Sequence, residues 1–141
     1  MVEIVNRQRT LDIDLDHWHA FTEKALKVLP KRGAGVTVAF VSDQRMRALN
    51  KQWRNKTSTT DVLSFPAGVD EFESASESTL GDVIISIAQA TRQAANNGLT
   101  LDHEIAQLIL HGLLHLCGYD HETDGGEMNR LEIRLRRRLA I

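Results

Sequence analysis

The sequence predicts a single α+β domain spanning residues 1–141, in which one small mixed β-sheet of about four strands packs with about five helices. The composition supports a globular domain, because 42% of the 141 residues are hydrophobic and 26% are charged. The order of the elements supports a mixed sheet, because some predicted strands are joined through helices and two by a loop. One predicted helix is apolar on almost all sides, which places it at the centre.

The first half of the chain predicts two pairs of a strand followed by a helix. Segments rich in β-branched residues predict the strands, and apolar residues at helical spacing predict the helices. Pro30 ends the first helix, and Ser42 or Asp43 can cap the second. The predicted elements are a strand at Val2–Val5, a helix at Asp16–Leu29, a strand at Val36–Val41 and a helix that ends near Trp53.

The second half predicts two strands joined by a loop and then three helices. The loop contains the acidic, serine-rich segment Glu71–Ser78, for which we expect a mobile connection. Gly98 and Gly118 provide stop signals for two of the helices. The predicted elements are strands at Asp61–Phe65 and Asp82–Ile87, followed by helices at Ala88–Asn97, Leu101–Cys117 and Gly126–Leu139.

Several classes of protein are excluded by the composition. No apolar run approaches the ~18 residues of a membrane span, and the N-terminus lacks the apolar stretch of a signal peptide. The single cysteine, Cys117, excludes an internal disulfide framework and a cysteine-rich zinc finger. We therefore expect a cytoplasmic protein with no membrane partner.

The charges are distributed unevenly, although the formal net charge is only −2. The segment Lys31–Thr60 holds seven Lys or Arg residues and one acid, whereas Asp61–Asp82 holds six acids and no Lys or Arg. A surface usually mixes the two signs, so the basic block could face phosphate groups. The alternative is a basic loop without a partner.

Three histidines occur within eleven residues of the apolar helix and its C-terminal turn. His111 and His115 are four residues apart, so their side chains lie about 40° apart on one face of the helix. Gly118 permits a sharp turn, after which His121 can fold back toward the same point. A lone buried histidine is usually a hydrogen-bonded core residue, but three at this spacing predict a metal site.

Imidazole is the commonest side-chain ligand of zinc, and three imidazoles leave the fourth tetrahedral position to water. Cys117 lies about 120° around the helix from His111 and about 160° from His115. It therefore points away from the histidines and is expected to be a small buried residue rather than a fourth ligand. This pattern predicts one catalytic Zn²⁺ per chain, with one open coordination position.

The spacing His-x-x-x-His-x-x-Gly-x-x-His is also that of the metzincin metalloproteases, with one difference. Those enzymes carry a glutamate directly after the first histidine as the general base. This chain has Gly112 at that position. A glycine accepts no proton through a side chain, so peptide hydrolysis by that route is not expected.

Three blocks of the chain form a distinctive pattern. One is the run His-Gly-Leu-Leu-His-Leu-Cys-Gly-Tyr-Asp-His at 111–121. A second comprises Leu-Asn-Lys-Gln-Trp-Arg (49–54) and Thr-Asp-Val-Leu-Ser-Phe-Pro (60–66), and a third is Gly-Asp-Val-Ile-Ile-Ser (81–86). In sequence, order and spacing, these blocks resemble the YbeY family of ribosomal RNA maturation nucleases over nearly the full length of the chain. The family usually has a proline where this chain has Thr59, and we expect this difference to loosen the loop.

The resemblance implies a metal-dependent endoribonuclease that is specific for single-stranded RNA. It further implies a role in ribosomal RNA maturation at the 3′ end of the small-subunit RNA and in ribosome quality control. The expected partners are therefore ribosomal RNA and the ribosome or ribosome-associated proteins. The resemblance also implies that His111, His115 and His121 bind zinc and that Arg54 is a catalytic residue in the same cleft.

The chemistry of phosphodiester cleavage is consistent with a role for Arg54. Negative charge develops on the phosphate oxygens, and a guanidinium fork can hold two of them. The alternative is a solvated cation at the end of a helix. Trp53 could stack on a base, but its spacing from Met46 and Leu49 places it on the inner stripe, so core packing is the expectation.

The general base is not assigned by the sequence. Asp61, Asp82 and Asp120 could serve as the base or orient a ligand imidazole. Glu104 lies two helical turns before His111, about 10 Å away, which is too far for a ligand but suitable for a cleft wall. Two alternatives to a nuclease remain, namely a divergent metallohydrolase such as a protease and a non-catalytic ribosome-binding module that zinc stabilises.

Overall fold

The structure is a computed structural model that describes residues 1–30, 35–67 and 79–141. The described residues form one sheet of four strands and five helices, which confirms the predicted fold class. The predicted connection Glu71–Ser78 and the basic residues Lys31 and Arg32 lie outside the described residues. The strands are β1 (Val2–Arg7), β2 (Gly35–Val41), β3 (Val62–Pro66) and β4 (Thr79–Ser86). The helices are α1 (Leu15–Val28), α2 (Asp43–Arg54), α3 (Ile87–Asn97), α4 (Leu101–Leu116) and α5 (Glu127–Leu139).

The sheet is mixed, and its strands lie in the order β1-β2-β4-β3. Strand β2 pairs in parallel with both β1 and β4, and helix α1 provides the crossover that a parallel β1–β2 pair requires. Strand β3 pairs antiparallel with β4, the next strand along the chain. Every residue of β2 is buried, as expected for an inner strand, whereas β3 lies at an edge of the sheet.

The two faces of the sheet contact separate cores, because successive side chains of a strand point in opposite directions. Val38 and Phe40 of β2 belong to the larger core, to which α1, α3, α4 and α5 contribute. Ala39 and Val41 belong to a smaller core with Leu49 of α2. Helices α2 and α4 therefore lie on opposite faces of the sheet.

Helix α4 is buried at the centre of the fold, as predicted, and ten of its 16 residues are buried. Gly112 allows the helix to pack closely on the sheet. A Cβ atom at this position would lie 2.7 Å from Cγ1 of Val83 and 3.1 Å from Oγ of Ser64. Position 112 therefore faces the sheet, and a glutamate there would not fit. No helix in the described part of the chain is long and apolar enough to span a membrane.

The prediction that Trp53 packs in the core is wrong. Trp53 is 43% exposed, whereas the other tryptophan, Trp18, is 2% exposed. The inner stripe of α2 ends at Asn50, and residues 51–58 are all exposed. The Trp53 ring instead contacts the edge of Phe65, with the ring centroids 5.8 Å apart. Helical spacing identified the correct face of α2 but not the point at which that helix leaves the protein interior.

Candidate metal centre

The three predicted histidines converge at the C-terminal end of α4. The Nε2 atoms of His111 and His115 are 3.2 Å apart, and one ring nitrogen from each of His111, His115 and His121 lies within 4.8 Å of the other two. His111 and His115 are half-buried, whereas His121 is exposed. This is the arrangement that one metal ion would require from three imidazoles.

The outer ring nitrogens of the two helical histidines have fixed partners. Nδ1 of His111 lies 2.8 Å from Oε1 of Glu132, and Nδ1 of His115 lies 2.9 Å from the carbonyl oxygen of Tyr119. A carboxylate and a carbonyl can only accept, so each Nδ1 donates its proton. This tautomer leaves the Nε2 lone pairs available to a metal, and the hydrogen bonds fix the ring orientations.

The turn after α4 positions His121. Gly118 has a φ of +98°, a value that glycine adopts without strain, and the Tyr119 amide donates to the carbonyl oxygen of Leu114. Beyond His121, the Asp124 carboxylate accepts from the amides of Gly126 and Met128 at 2.8 and 2.9 Å. These backbone hydrogen bonds, chiefly that from Met128, lower the pKa of Asp124. The turn is thereby attached to α5.

The electrostatics of the site favour a neutral His115 and an ionised Glu132. Burial and the neighbouring His111 lower the pKa of His115 below its ordinary value. Burial alone would raise the pKa of Glu132, but its contacts with His111 and Arg136 outweigh that effect, so the pKa is lowered. Arg136 donates to the second carboxylate oxygen at 2.5 Å. Metal binding needs a neutral imidazole, so the lowered pKa of His115 favours binding of a metal ion.

The donor set fits zinc. The chemistry of three imidazoles suits Zn²⁺, and the carboxylate contact of His111 is the usual outer partner of a zinc-ligating histidine. Cys117 is half-buried, packs against the larger core and is outside the group of ligand atoms that converge, as predicted. The three histidines could therefore hold one ion in an open site.

The histidines lie in a cleft of about 520 Å³, named here the histidine cleft, which Arg54, Asp61 and Asp120 also line. Arg54 is the last residue of α2, which packs on one face of the sheet. The histidines lie in the last turns of α4 and in the turn that follows it, and α4 packs on the other face. The two elements meet beside edge strand β3, whose Ser64 lines the cleft between them. Arg54 and the three histidines therefore line the same cleft, the location that the family resemblance implied for Arg54.

The loop that joins Arg54 to β3 is held by two side chains of α2. The buried Asn50 donates through Nδ2 to the carbonyl oxygen of Ser58 at 2.8 Å. Thr59 donates through its hydroxyl to Oδ1 of Asp43 at 2.6 Å. Thr59, which stands where the family usually has a proline, is therefore hydrogen-bonded to α2. This contact opposes the loosening of the loop that we expected.

Only some of the carboxylates that the sequence offered as candidates line the histidine cleft. Asp61 and Asp120 line the histidine cleft, whereas Asp82 is fully buried in β4 and does not. Glu104 is also buried and lies outside the histidine cleft.

Glu132, the partner of His111, was not predicted from the sequence. The sequence does contain a signal for this role, because Glu132 lies on the apolar stripe of α5. The buried residues of that helix are Met128, Glu132, Leu135 and Leu139. A carboxylate within an apolar helical stripe requires a buried partner.

The chain is similar to known proteins of one family over most of its length. The family model for Endoribonuclease YbeY matches residues 3–140. An Endoribonuclease YbeY from Sulfurihydrogenibium sp. is 47% identical over 103 residues, which cover 73% of this chain and 66% of that protein. Another from Koribacter versatilis is 40% identical over 138 residues, covering 98% and 86%. A solution structure from Thermotoga maritima has a TM-score of 0.67 and 25% identity, covering 99% of this chain and 89% of that one.

Proposed function

The chain belongs to the YbeY family, and we propose that it is a zinc-dependent endoribonuclease that cleaves single-stranded RNA. The observation that carries this proposal is the meeting of three imidazoles and one guanidinium in the same cleft. Held by His111, His115 and His121, zinc would supply Lewis acidity toward a phosphate oxygen and toward water. Arg54 binds the phosphate oxygens on which negative charge develops during cleavage.

The other residues of the cleft have supporting roles in this proposal. His111, His115 and His121 are the metal ligands, and Glu132 and the Tyr119 carbonyl orient two of the rings. Asp61, Asp120 and Glu122 line the cleft, and one of these carboxylates would accept a proton during cleavage. Arg54 is exposed, so its guanidinium is accessible to a polyanion as bulky as RNA.

The proposed cellular role is ribosomal RNA maturation at the 3′ end of the small-subunit RNA, together with ribosome quality control, in the cytoplasm. This role depends on the family resemblance of the three sequence blocks. Depletion of the protein in its host should cause small-subunit RNA with an extended 3′ end to accumulate, as measured by 3′-end mapping. Normal 3′ ends after depletion would contradict this role but not the nuclease chemistry.

A metalloprotease is disfavoured by Gly112. Its position against Val83 excludes the glutamate that such a protease would use. A non-catalytic module with structural zinc is the second candidate, because three histidines on a helix and its C-terminal turn could also stabilise a fold. Turnover of substrate distinguishes that module from an enzyme.

The test is the cleavage of a labelled single-stranded RNA by protein without a polyhistidine tag. The control is the His115→Ala protein purified in the same way. Cleavage by the wild type alone, lost with a chelator and restored by zinc, is the expected result. Equal cleavage by both proteins would indicate a contaminating nuclease, and cleavage of neither free RNA nor RNA within ribosomes would support the non-catalytic module.

A further inference from the structure

A second groove adjoins the histidine cleft on the far side of Asp61 and His111, which line both. We name it the amide groove after Gln93, Asn97 and Gln107, which line it together with Glu104. Its volume of about 570 Å³ is within the range of about 300–1,000 Å³ that is typical of small-molecule sites. Helices α3 and α4 supply the three amide side chains and Glu104, so this part of the groove is built on helices.

The charges of the amide groove disfavour a phosphate group as its occupant. Two carboxylates, those of Asp61 and Glu104, line it, against one cation, Arg136. Arg136 donates through Nη2 to Glu132, so part of its guanidinium is already used. A neutral ligand that donates hydrogen bonds suits this lining better than an anion does.

Glu104 is the most specific recognition group in the groove. It is 5% exposed, and Oε1 accepts one hydrogen bond, from Nδ2 of Asn97 at 3.0 Å. A carboxylate has about four acceptor positions, so it can accept further donors from a ligand. Apolar atoms of Val62, Leu99 and Leu108 also line the groove, and these can contact the flat face of a ring.

We propose that the amide groove binds a nucleobase of the RNA strand whose phosphate occupies the histidine cleft, and that Glu104 selects guanine. This inference rests on the proposed function and names a specificity site for it. Guanine presents two adjacent donors, N1–H and the N2 amino group, which match the two oxygens of a carboxylate. The other three bases present at most one donor group beside acceptors on that edge. Single-stranded RNA exposes these edges to a protein.

The geometry of α4 links guanine recognition to cleavage. Glu104 and His111 are seven residues, or two turns, apart on the same helix, about 10 Å. A base held at Glu104 would therefore fix the position of the adjoining backbone relative to the histidines. Cleavage should occur at a constant distance from a guanine.

The experiment uses oligouridine of fixed length with a single guanosine, inosine or adenosine at its centre. Inosine lacks the 2-amino group and otherwise retains the shape of guanosine. The wild type should cleave the guanosine RNA at one position and about 5-fold to 150-fold faster than the inosine RNA. The Glu104→Gln protein should lose this preference, because one carboxylate oxygen becomes a donor. Asp102→Asn is the matched control, because it removes one negative charge from an exposed residue of α4 outside the groove.

Uniform cleavage of all three RNAs by the wild type would overturn the inference and leave the proposed function intact. Cleavage of none of them would contradict the proposed function instead. Binding of the mononucleotides GMP and IMP, measured by calorimetry, tests the groove without cleavage. Tighter binding of GMP by the wild type, lost in Glu104→Gln, would support the inference, and equal binding would overturn it. The wild-type comparison of guanosine with inosine remains decisive if the Glu104→Gln protein does not fold.

Discussion

The two walls of the histidine cleft are built in different ways. On the α4 wall, His111 and His115 extend from a buried helix, and each ring has a fixed partner for Nδ1. On the α2 wall, Arg54 lies at an exposed helix end, followed by an exposed loop. A metal ion requires ligands in a nearly fixed geometry, whereas an RNA backbone varies in shape. Under the proposed function, the wall on the buried helix would hold the ion and the wall at the exposed helix end would contact the polymer.

The largest expected effects come from one substitution on each wall, and the two variants should differ in metal content. His115→Ala should remove both bound zinc and cleavage, because two imidazoles hold the ion much less well than three. Arg54→Ala should retain one zinc per chain and reduce cleavage by about 10²–10³-fold. Metal analysis and cleavage rates of both proteins check this. Full zinc occupancy in His115→Ala would show that the ligand set is wrong, and unchanged cleavage in Arg54→Ala would remove Arg54 from the mechanism.

The next largest effects are on stability, and they should differ between substitutions of the two tryptophans. Trp18→Ala should lower the free energy of unfolding by about 3–5 kcal/mol, because it empties a site in the larger core. Trp53→Ala should lower it by about 1 kcal/mol, because the ring is partly exposed and its aromatic contact is with Phe65. Urea denaturation measures both. A similar loss in the two variants would mean that the end of α2 is packed more tightly than its exposure indicates.

Glu132 tests whether the α4 wall depends on its supporting hydrogen bonds. Glu132→Gln should weaken zinc binding by about 10–100-fold, since the charged acceptor of His111 becomes neutral. Competition with a chromophoric chelator measures the affinity. Glu127→Gln is a matched control, because Glu127 is an exposed residue of the same helix. An unchanged affinity in Glu132→Gln would mean that the rings need no such support.

The smallest expected effect concerns Asp43, which anchors the α2 wall. Its carboxylate accepts from Thr59, Ser86 and Arg92 at 2.6, 3.0 and 2.7 Å. Burial would raise its pKa, but these contacts outweigh burial and lower it. The stability that they contribute is therefore present above the ordinary carboxyl pKa of about 3.9 and is lost as the pH falls through the lower, folded value.

The comparison of the wild type with Asp43→Asn isolates this contribution. The wild type should be more stable near neutral pH, and the difference should shrink as the pH falls below about 4. Urea midpoints of both proteins across this pH range provide the measurement. A difference that stays constant down to about pH 3 would show that the charge of Asp43 does not stabilise the loop.

The sequence predicted the α4 wall more completely than the α2 wall, for a physical reason. The burial of α4, the convergence of its histidines and the turn at Gly118 depend on local spacing. By contrast, the exposure of Trp53 depends on where the protein interior ends beyond α2. The role of Glu132 depends on how α5 packs against α4, and only the carboxylate within an apolar stripe indicated it. Local features were therefore predictable, and contacts between distant elements mostly were not.

The most direct test of the proposed mechanism is a zinc titration of metal-free protein while the cleavage of single-stranded RNA is followed. Cleavage should rise in proportion to added zinc and reach a plateau at one equivalent per chain. Arg54→Ala should bind the same single equivalent while cleaving far more slowly. Cleavage at full rate without metal, or cleavage that does not follow zinc occupancy, would contradict the assignment of the three histidines as the catalytic metal centre.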